Sequence, residues 1–112
     1  MQPGKPALRV RIYLGEDKRD DERPLYQGII TKARSFHLSG ATVLRGTQGF
    51  GRSTRLHTAD SLFSEDLPVI IEIIDKPERL DPFIQSLLGN PQIALITQDE
   101  VAILDYPAPP IR

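Results

Sequence analysis

The sequence predicts an α+β protein, a ferredoxin-like βαββαβ sandwich with a long loop between its second and third strands and a short extra C-terminal strand. Apolar residues recur at every second position in several short segments and at every third or fourth position in two longer ones. These are the periods of strands and helices. Their order is strand, helix, strand, strand, helix, strand, which is the split βαβ arrangement. The 112 residues fit one domain, with residues 1–6 and 107–112 as extended or flexible tails.

The first strand is expected over residues 7–14. Apolar and polar residues alternate strictly there, as in a strand with one buried face. The buried face would carry Leu8, Val10, Ile12 and Leu14, and the open face Arg9, Arg11 and Tyr13. Because two helices cover only one face of such a sheet, the open face is a natural contact for a partner subunit.

The first helix is expected after the polar connector 15–23. Pro24 suits the first turn of this helix. The apolar stripe of the helix contains Leu25, Ile29, Ala33 and Phe36. Gly40 is expected to end the helix, which places His37 in its last turn in a structural role. Residues 41–45 include β-branched side chains and predict the second strand.

The second half of the chain supplies further strands and a second helix. Residues 68–75 are largely apolar on both faces, which predicts a strand that is covered on both sides. Pro77 opens the second helix, and Gly89-Asn90-Pro91 ends it through a left-handed cap followed by a residue that cannot continue a helix. Residues 93–97 predict the fourth strand, and residues 101–106 predict the short extra one.

Composition and charge exclude several classes of function. The chain has 14 basic and 15 acidic side chains and a formal charge of −1, so no overall field attracts nucleic acid or an anionic membrane. The absence of cysteine excludes disulfides, thiolate metal sites and a cysteine nucleophile. The apolar runs are far shorter than a membrane-spanning helix, and the N-terminus lacks a signal-peptide pattern. A cytoplasmic protein is therefore expected.

The connection between the second and third strands, residues 46–67, is much longer than a hairpin requires. Loops of this length are commonly functional or disordered. Its glycines would let the backbone take left-handed conformations and form an anion-binding concavity. Its arginines would add charge-assisted bonds to phosphate or carboxylate. The candidate ligand-binding residues are Arg45, Gly46, Gly49, Phe50, Gly51, Arg52, Ser53, Arg55 and His57.

Other interpretations of this loop stay open. In the plainest one, the glycines only form turns and the arginines only solvate the loop. A metal site would use His57, Asp60, Glu65 and Asp66, but their spacing matches no ligand motif, so a solvated acidic segment is favoured. A hydrolase would combine Ser53 or Ser61 with His57 and Asp60, but no nucleophile elbow accompanies them, and we expect no enzyme. RNA binding is disfavoured because few aromatic residues are available to stack bases.

Several segments resemble a known family. Residues 40–43, Gly-Ala-Thr-Val, and residues 49–53, Gly-Phe-Gly-Arg-Ser, look like the strand and loop entry of PII-like signalling proteins. The resemblance is closer to one PII-like family, the domain-of-unknown-function family 190. That family is similar in Leu25-Tyr26, Gly40-Ala41-Thr42-Val43, Arg45-Gly46, Gly49-Phe50-Gly51, His57-Thr58 and Leu67-Pro68-Val69. The resemblance therefore covers most of the chain.

The resemblance implies a homotrimeric, cytoplasmic regulator without established catalysis, whose ligand lies between subunits at the base of the long loop. Gly49, Gly51 and Arg52 would then contact an adenine nucleotide. Some relatives are associated with fluoride exporters. The chain departs from PII proteins in two places: residues 89–92 lack the basic side chains of their second phosphate loop, and residues 46–67 contain no tyrosine.

Two functional hypotheses follow. In the first, the protein is a PII-like regulator that binds a small anionic effector, either an adenine nucleotide or another small anion, at the base of its loop. In the second, it is a ligand-free interaction module whose loop docks onto a membrane transporter, such as a fluoride exporter, or onto another regulated protein. Neither hypothesis involves a metal or a nucleic acid.

Overall fold

The computed structural model describes residues 4–50, 57–58 and 67–105, with only the backbone at 57 and 58. Its elements are β1 (Lys5–Gly15), β2 (Arg19–Asp20), β3 (Arg23–Pro24), α1 (Leu25–Ser35), β4 (Thr42–Arg45), β5 (Gln48–Gly49), β6 (His57–Thr58), β7 (Pro68–Asp75), α2 (Pro77–Leu87) and β8 (Ile93–Ile103). One antiparallel sheet has the order β4-β7-β1-β8, and β2–β3 and β5–β6 form two small ribbons. This arrangement confirms the predicted ferredoxin-like α+β fold.

β1 is a central strand because it pairs with β7 on one side and with β8 on the other. Its alternating sequence directs Val10 and Ile12 into the core, where neither side chain has exposed surface. The strand starts at Lys5, two residues before the predicted start, because Lys5 pairs with Ile103 at the far end of β8. The pairing therefore decides the length of both strands.

The core lies between this sheet and the helices α1 and α2. Its buried apolar side chains are Val10, Ile12, Leu14, Leu25, Ile29, Ala33, Val69, Ile71, Ile73, Leu80, Phe83, Leu87 and Ile93. Phe36 packs edge-to-face against Phe83 with ring centroids 5.9 Å apart, an arrangement that the aromatic quadrupoles favour. Neither α1 nor α2, the helices of the described residues, has the length and apolar character needed to span a bilayer.

The first helix ends earlier than predicted. α1 stops at Ser35 with Phe36 as its C-cap, and His37 follows with a φ of 59°. The N–H of Leu38 donates to the carbonyl of Ala33 at 3.2 Å, and the N–H of His37 donates to that of Arg34 at 3.0 Å. These two bonds form a Schellman motif, which reverses the chain through one left-handed residue. The predicted positions of His37 in the last turn and of Gly40 as the terminator are therefore wrong.

Two further boundaries differ from the sequence prediction. Pro24 is the N-cap of α1 and pairs with Arg19 in the β2–β3 ribbon, so it precedes the first turn instead of lying in it. The predicted fourth and extra strands are one continuous strand, β8, within the described residues. The polar residues between them do not form a turn because each stays paired with β1, and Asp99 bonds Arg9 directly across the pair.

Asp75 is a buried charged residue that links the segment after α1 to the start of α2. Its carboxylate accepts hydrogen bonds from the N–H groups of Ser39 and Lys76, each at 2.8 Å, and lies 3.8 Å from the guanidinium of Arg79. Arg79 also donates to the carbonyl of His37. Burial by itself raises the pKa of the Asp75 carboxyl, but the N–H donors and Arg79 outweigh burial and lower that pKa below its ordinary value of 3.8.

We expect Asp75→Asn to lower the free energy of unfolding by about 1–3 kcal/mol near neutral pH, because one of the two buried N–H groups loses its acceptor. A lowered pKa in the folded state means that the ionised carboxylate stabilises the fold above pH 3.8 and that this stabilisation is lost as the pH falls through the folded-state pKa. The difference between wild type and variant should therefore shrink in that acidic range.

Denaturant unfolding from pH 7 down to pH 2 checks this prediction. Asp81→Asn, which removes an exposed carboxylate from the same helix as Arg79, is the matched control and should change stability by less than about 0.5 kcal/mol. Equal effects of the two variants at pH 7 would contradict the role assigned to Asp75.

Candidate functional site

The base of the long loop lies where three strands of the sheet meet. β4 ends at Arg45 opposite Val69, and β1 ends at Gly15 opposite Pro68. The N–H of Gly46 donates to the carbonyl of Pro68 at 2.7 Å. Because backbone hydrogen bonds hold this end of the loop to β7, the first loop residues have a defined position beside the sheet.

Arg45 is the charged residue of this loop base that the sequence singled out. Its Nη2 lies 2.5 Å from Oε1 of Glu16, in an ion pair whose side chains are 55% and 23% exposed, respectively. Glu16 also donates its backbone N–H to the carbonyl of Leu67 at 2.8 Å. Glu16 belongs to the polar connector predicted over residues 15–23, where no motif marks it. Only the pairing of β1 with β7 brings it to the loop.

Two of the candidate glycines pack closely against Pro68. A Cβ at Gly46 would lie 2.7 Å from Cγ of Pro68, and a Cβ at Gly49 would lie 3.1 Å from the same atom. Among the glycines of the described chain, only Gly89 has a positive φ. The prediction of a left-handed backbone is therefore wrong for Gly46 and Gly49. At these two positions the absence of a side chain instead lets the backbone approach the proline ring closely.

The ribbon of β5 and β6 continues from the loop base. It pairs Gln48 with Thr58 and Gly49 with His57, so the backbones of two candidate residues, Gly49 and His57, lie opposite each other. Phe50 follows with 72% of its surface exposed.

The remaining candidate residues, Gly51, Arg52, Ser53 and Arg55, lie outside the described residues. The same is true of the loop carboxylates Asp60, Glu65 and Asp66 and of Ser61. Within the described ranges, no group of three or more His, Cys, Asp or Glu side chains could hold a metal ion.

The open face of the sheet combines two ion pairs with apolar side chains. Arg9 donates to Asp99 through Nε at 3.1 Å and Nη2 at 2.6 Å, and Arg11 donates to Glu72 at 2.9 Å. The hydrogen bond and charge of Asp99 raise the pKa of Arg9, and the hydrogen bond from Arg9 lowers the pKa of Asp99. The charges of these two arginines are thus paired within the chain.

A cavity of about 400 Å³ lies on the helical side of the molecule, with Arg23 and Lys32 in its wall. The segment after α2 also lines it, where PII proteins have a basic phosphate loop. There Oδ1 of Asn90 accepts the N–H of Gln92 at 2.9 Å, and the side-chain amide of Gln92 donates to the carbonyl of Arg19 at 2.8 Å. These side-chain groups hold the local turn together and supply no charge to it.

We expect Gly46→Ala to lower the free energy of unfolding by about 1–3 kcal/mol, because the added methyl group overlaps the ring of Pro68. Gly40→Ala is the matched control, since a Cβ at Gly40 meets no atom within 4 Å and should leave stability unchanged or slightly raised. Denaturant unfolding of both variants checks the prediction. A Gly46→Ala protein as stable as the control would contradict the close packing.

Comparison with known proteins agrees with this description. Residues 7–103 match the family model described as DUF190, Uncharacterized ACR. A UPF0166 protein of Aquifex aeolicus is 34% identical over 97 residues, which cover 85% of this chain and 90% of that protein. A UPF0166 protein of Methanocaldococcus jannaschii is 30% identical over 98 residues, covering 85% and 91% of the two chains.

Solved structures show the same fold at low sequence identity. A PII-like signalling protein of Thermus thermophilus superposes with a TM-score of 0.65 and 17% identity, covering 92% of this chain and 94% of that one. The nitrogen regulatory PII-like protein CPII of Thiomonas intermedia, bound to ADP, AMP and bicarbonate, superposes with a TM-score of 0.66 and 11% identity over 88% of each chain. The fold is therefore PII-like.

Proposed function

This chain belongs to the DUF190 family, and on that premise we propose that it is a homotrimeric PII-like regulator. It binds a small anionic effector, with an adenine nucleotide as the leading candidate, at the base of its long loop in the cleft between subunits. It acts in the cytoplasm and is not an enzyme. The proposal rests chiefly on Arg45, a half-exposed cation held at the loop base by β4.

The position of Arg45 supports the binding of an anion at the boundary with a neighbouring subunit. β4 is an edge strand of the four-stranded sheet, and Arg45 is its last residue. More than half of its side chain is exposed, so solutes reach the guanidinium beside the loop. A planar guanidinium binds phosphate and carboxylate oxygens through paired hydrogen bonds. CPII, which has the same fold, binds ADP, AMP and bicarbonate, and each of these ligands carries negative charge.

The open face of the sheet supports self-association. Its apolar side chains Leu44, Ile74, Leu95 and Ile103 are between 37% and 54% exposed. Register places Leu95 opposite Tyr13 of the central strand β1. Because Arg9 and Arg11 already have carboxylate partners in the same chain, burying this face against two further copies would leave neither guanidinium without a partner.

Phe50 favours a second candidate function. Its side chain is 72% exposed directly after the end of β5, and an exposed aromatic residue is a common anchor of protein interfaces. In this alternative, the protein is an interaction module that docks through Phe50 onto a membrane transporter or another regulated protein without an effector.

The effector hypothesis predicts that a small anion raises the melting temperature of the protein, because a ligand that binds only the folded state stabilises it. The panel is ATP, ADP, AMP, cyclic AMP and bicarbonate, tested by thermal shift and then by calorimetry. Arg45→Gln should weaken the binding of any active compound about tenfold to a hundredfold, since it removes a charge-assisted hydrogen bond.

Arg34→Gln is the matched control for this experiment, because Arg34 is an exposed arginine on α1 and its loss makes the same change in net charge. Its affinity should equal that of wild type. If no compound of the panel binds, the effector hypothesis fails and the interaction module is favoured; if both variants bind like wild type, Arg45 is not part of the site.

The trimer hypothesis predicts that the protein sediments with three times the mass of its 12.5 kDa chain. Leu95→Asp should dissociate the trimer, because it places an unpaired charge in the proposed interface. Leu88→Asp is the matched control: Leu88 is 57% exposed at the end of α2 and Leu95 is 54% exposed on the open face. A monomeric wild type at high concentration, or a Leu95→Asp protein that stays trimeric, would contradict this interface.

A further inference from the structure

Glu16 connects both ends of the long loop to the end of β1. Its backbone N–H donates to the carbonyl of Leu67, where the loop returns to the sheet, and its carboxylate forms an ion pair with Arg45, where the loop leaves. The carboxylate side chain is 23% exposed, whereas the arginine side chain is 55% exposed. Glu16 is therefore the more fixed member of the pair, and Arg45 is the member that solvent and solutes reach.

The modest strength of this pair makes it displaceable. The N···O distance of this ion pair, 2.5 Å, is short, but water screens a half-exposed pair and both side chains lose conformational freedom in it. Pairs of this kind shift an equilibrium by no more than about fivefold. A phosphate or carboxylate that makes two hydrogen bonds to Arg45 can exceed that contribution.

We propose that the Glu16 carboxylate occupies the place at Arg45 that the anionic group of the effector takes, so that Glu16 is a built-in competitor for the effector site. This inference rests on the proposed function, since it assigns a regulatory residue to the same site. The competitor sets the effector concentration at which Arg45 becomes engaged. Conversely, a bound effector frees the Glu16 carboxylate, while the backbone bonds from Glu16 to Leu67 and from Gly46 to Pro68 do not depend on that exchange.

Competition predicts a gain of affinity when the competitor is removed. Glu16→Gln keeps the size of the side chain and removes its charge, so ADP, AMP or bicarbonate should bind about twofold to fivefold more tightly than to wild type. Glu78→Gln is the matched control, because it makes the same charge change at an exposed position of α2 and should leave affinity unchanged. Calorimetry on the full chain measures the dissociation constants, with circular dichroism to check folding and Glu16→Ala as a second variant.

A double-mutant cycle with Arg45 separates competition from a general effect of charge. In the Arg45→Gln background, Glu16→Gln should give no further gain, because the competitor then has no cation to occupy. A gain of the same size without Arg45 would show long-range repulsion and would overturn the inference.

The remaining outcomes distinguish this inference from the function on which it rests. If wild type binds a compound of the panel and Glu16→Gln binds it equally or more weakly, the inference is overturned while the proposed function stands. Binding only after Glu16→Gln supports both. If neither protein binds any compound of the panel, the proposed function fails and the inference fails with it.

Discussion

The antiparallel pairing of β1 with both β7 and β8 is the constraint on which the rest of the structure depends. Because side chains alternate along a strand, the register of β1 decides which half of its residues enters the core. Val10 and Ile12 lie inward and have no exposed surface, and they belong to the core against which α1 and α2 pack. A shift by one residue would turn Arg9 and Arg11 into that core and Val10 and Ile12 out of it.

The same register builds the loop base. Since β1 ends opposite Pro68, the next residue, Glu16, stands beside the returning end of the long loop. β4 pairs with the other side of β7 and stops at Arg45, whose guanidinium reaches Glu16. The position of the candidate site is therefore decided by where β1 and β4 end and β7 begins, and it does not depend on the length of the loop that connects β4 to β7.

Charge in this chain is arranged locally. The formal net charge is only −1, and Arg9 and Arg11 of the open face are paired with carboxylates of neighbouring strands. Asp75 is surrounded by N–H donors at the junction of β7 and α2. Such pairing gives the molecule little long-range field, so the proposed recognition of an anion depends on a short-range contact. Arg45 is suited to that contact because more than half of its side chain is exposed and because water weakens its ion pair with Glu16.

The sequence by itself determined the elements whose signals are local. The alternation of side chains predicted β7 and the helical repeat predicted α2, each with its observed first residue. Gly89 was also predicted to lie beyond the end of α2. These patterns could be recognised because they depend only on residues that are near neighbours in the chain. It also placed Arg45 at the end of a strand and Gly46 at the start of the loop. Tertiary structure alone decided the ends of β1 and β8, which pair from Lys5 opposite Ile103 to Leu14 opposite Ile93, and the Schellman turn at His37, where a residue other than glycine takes a positive φ. It also decided the partnership of Glu16 with Arg45, because the two residues are distant in the chain and only the strand register brings them together.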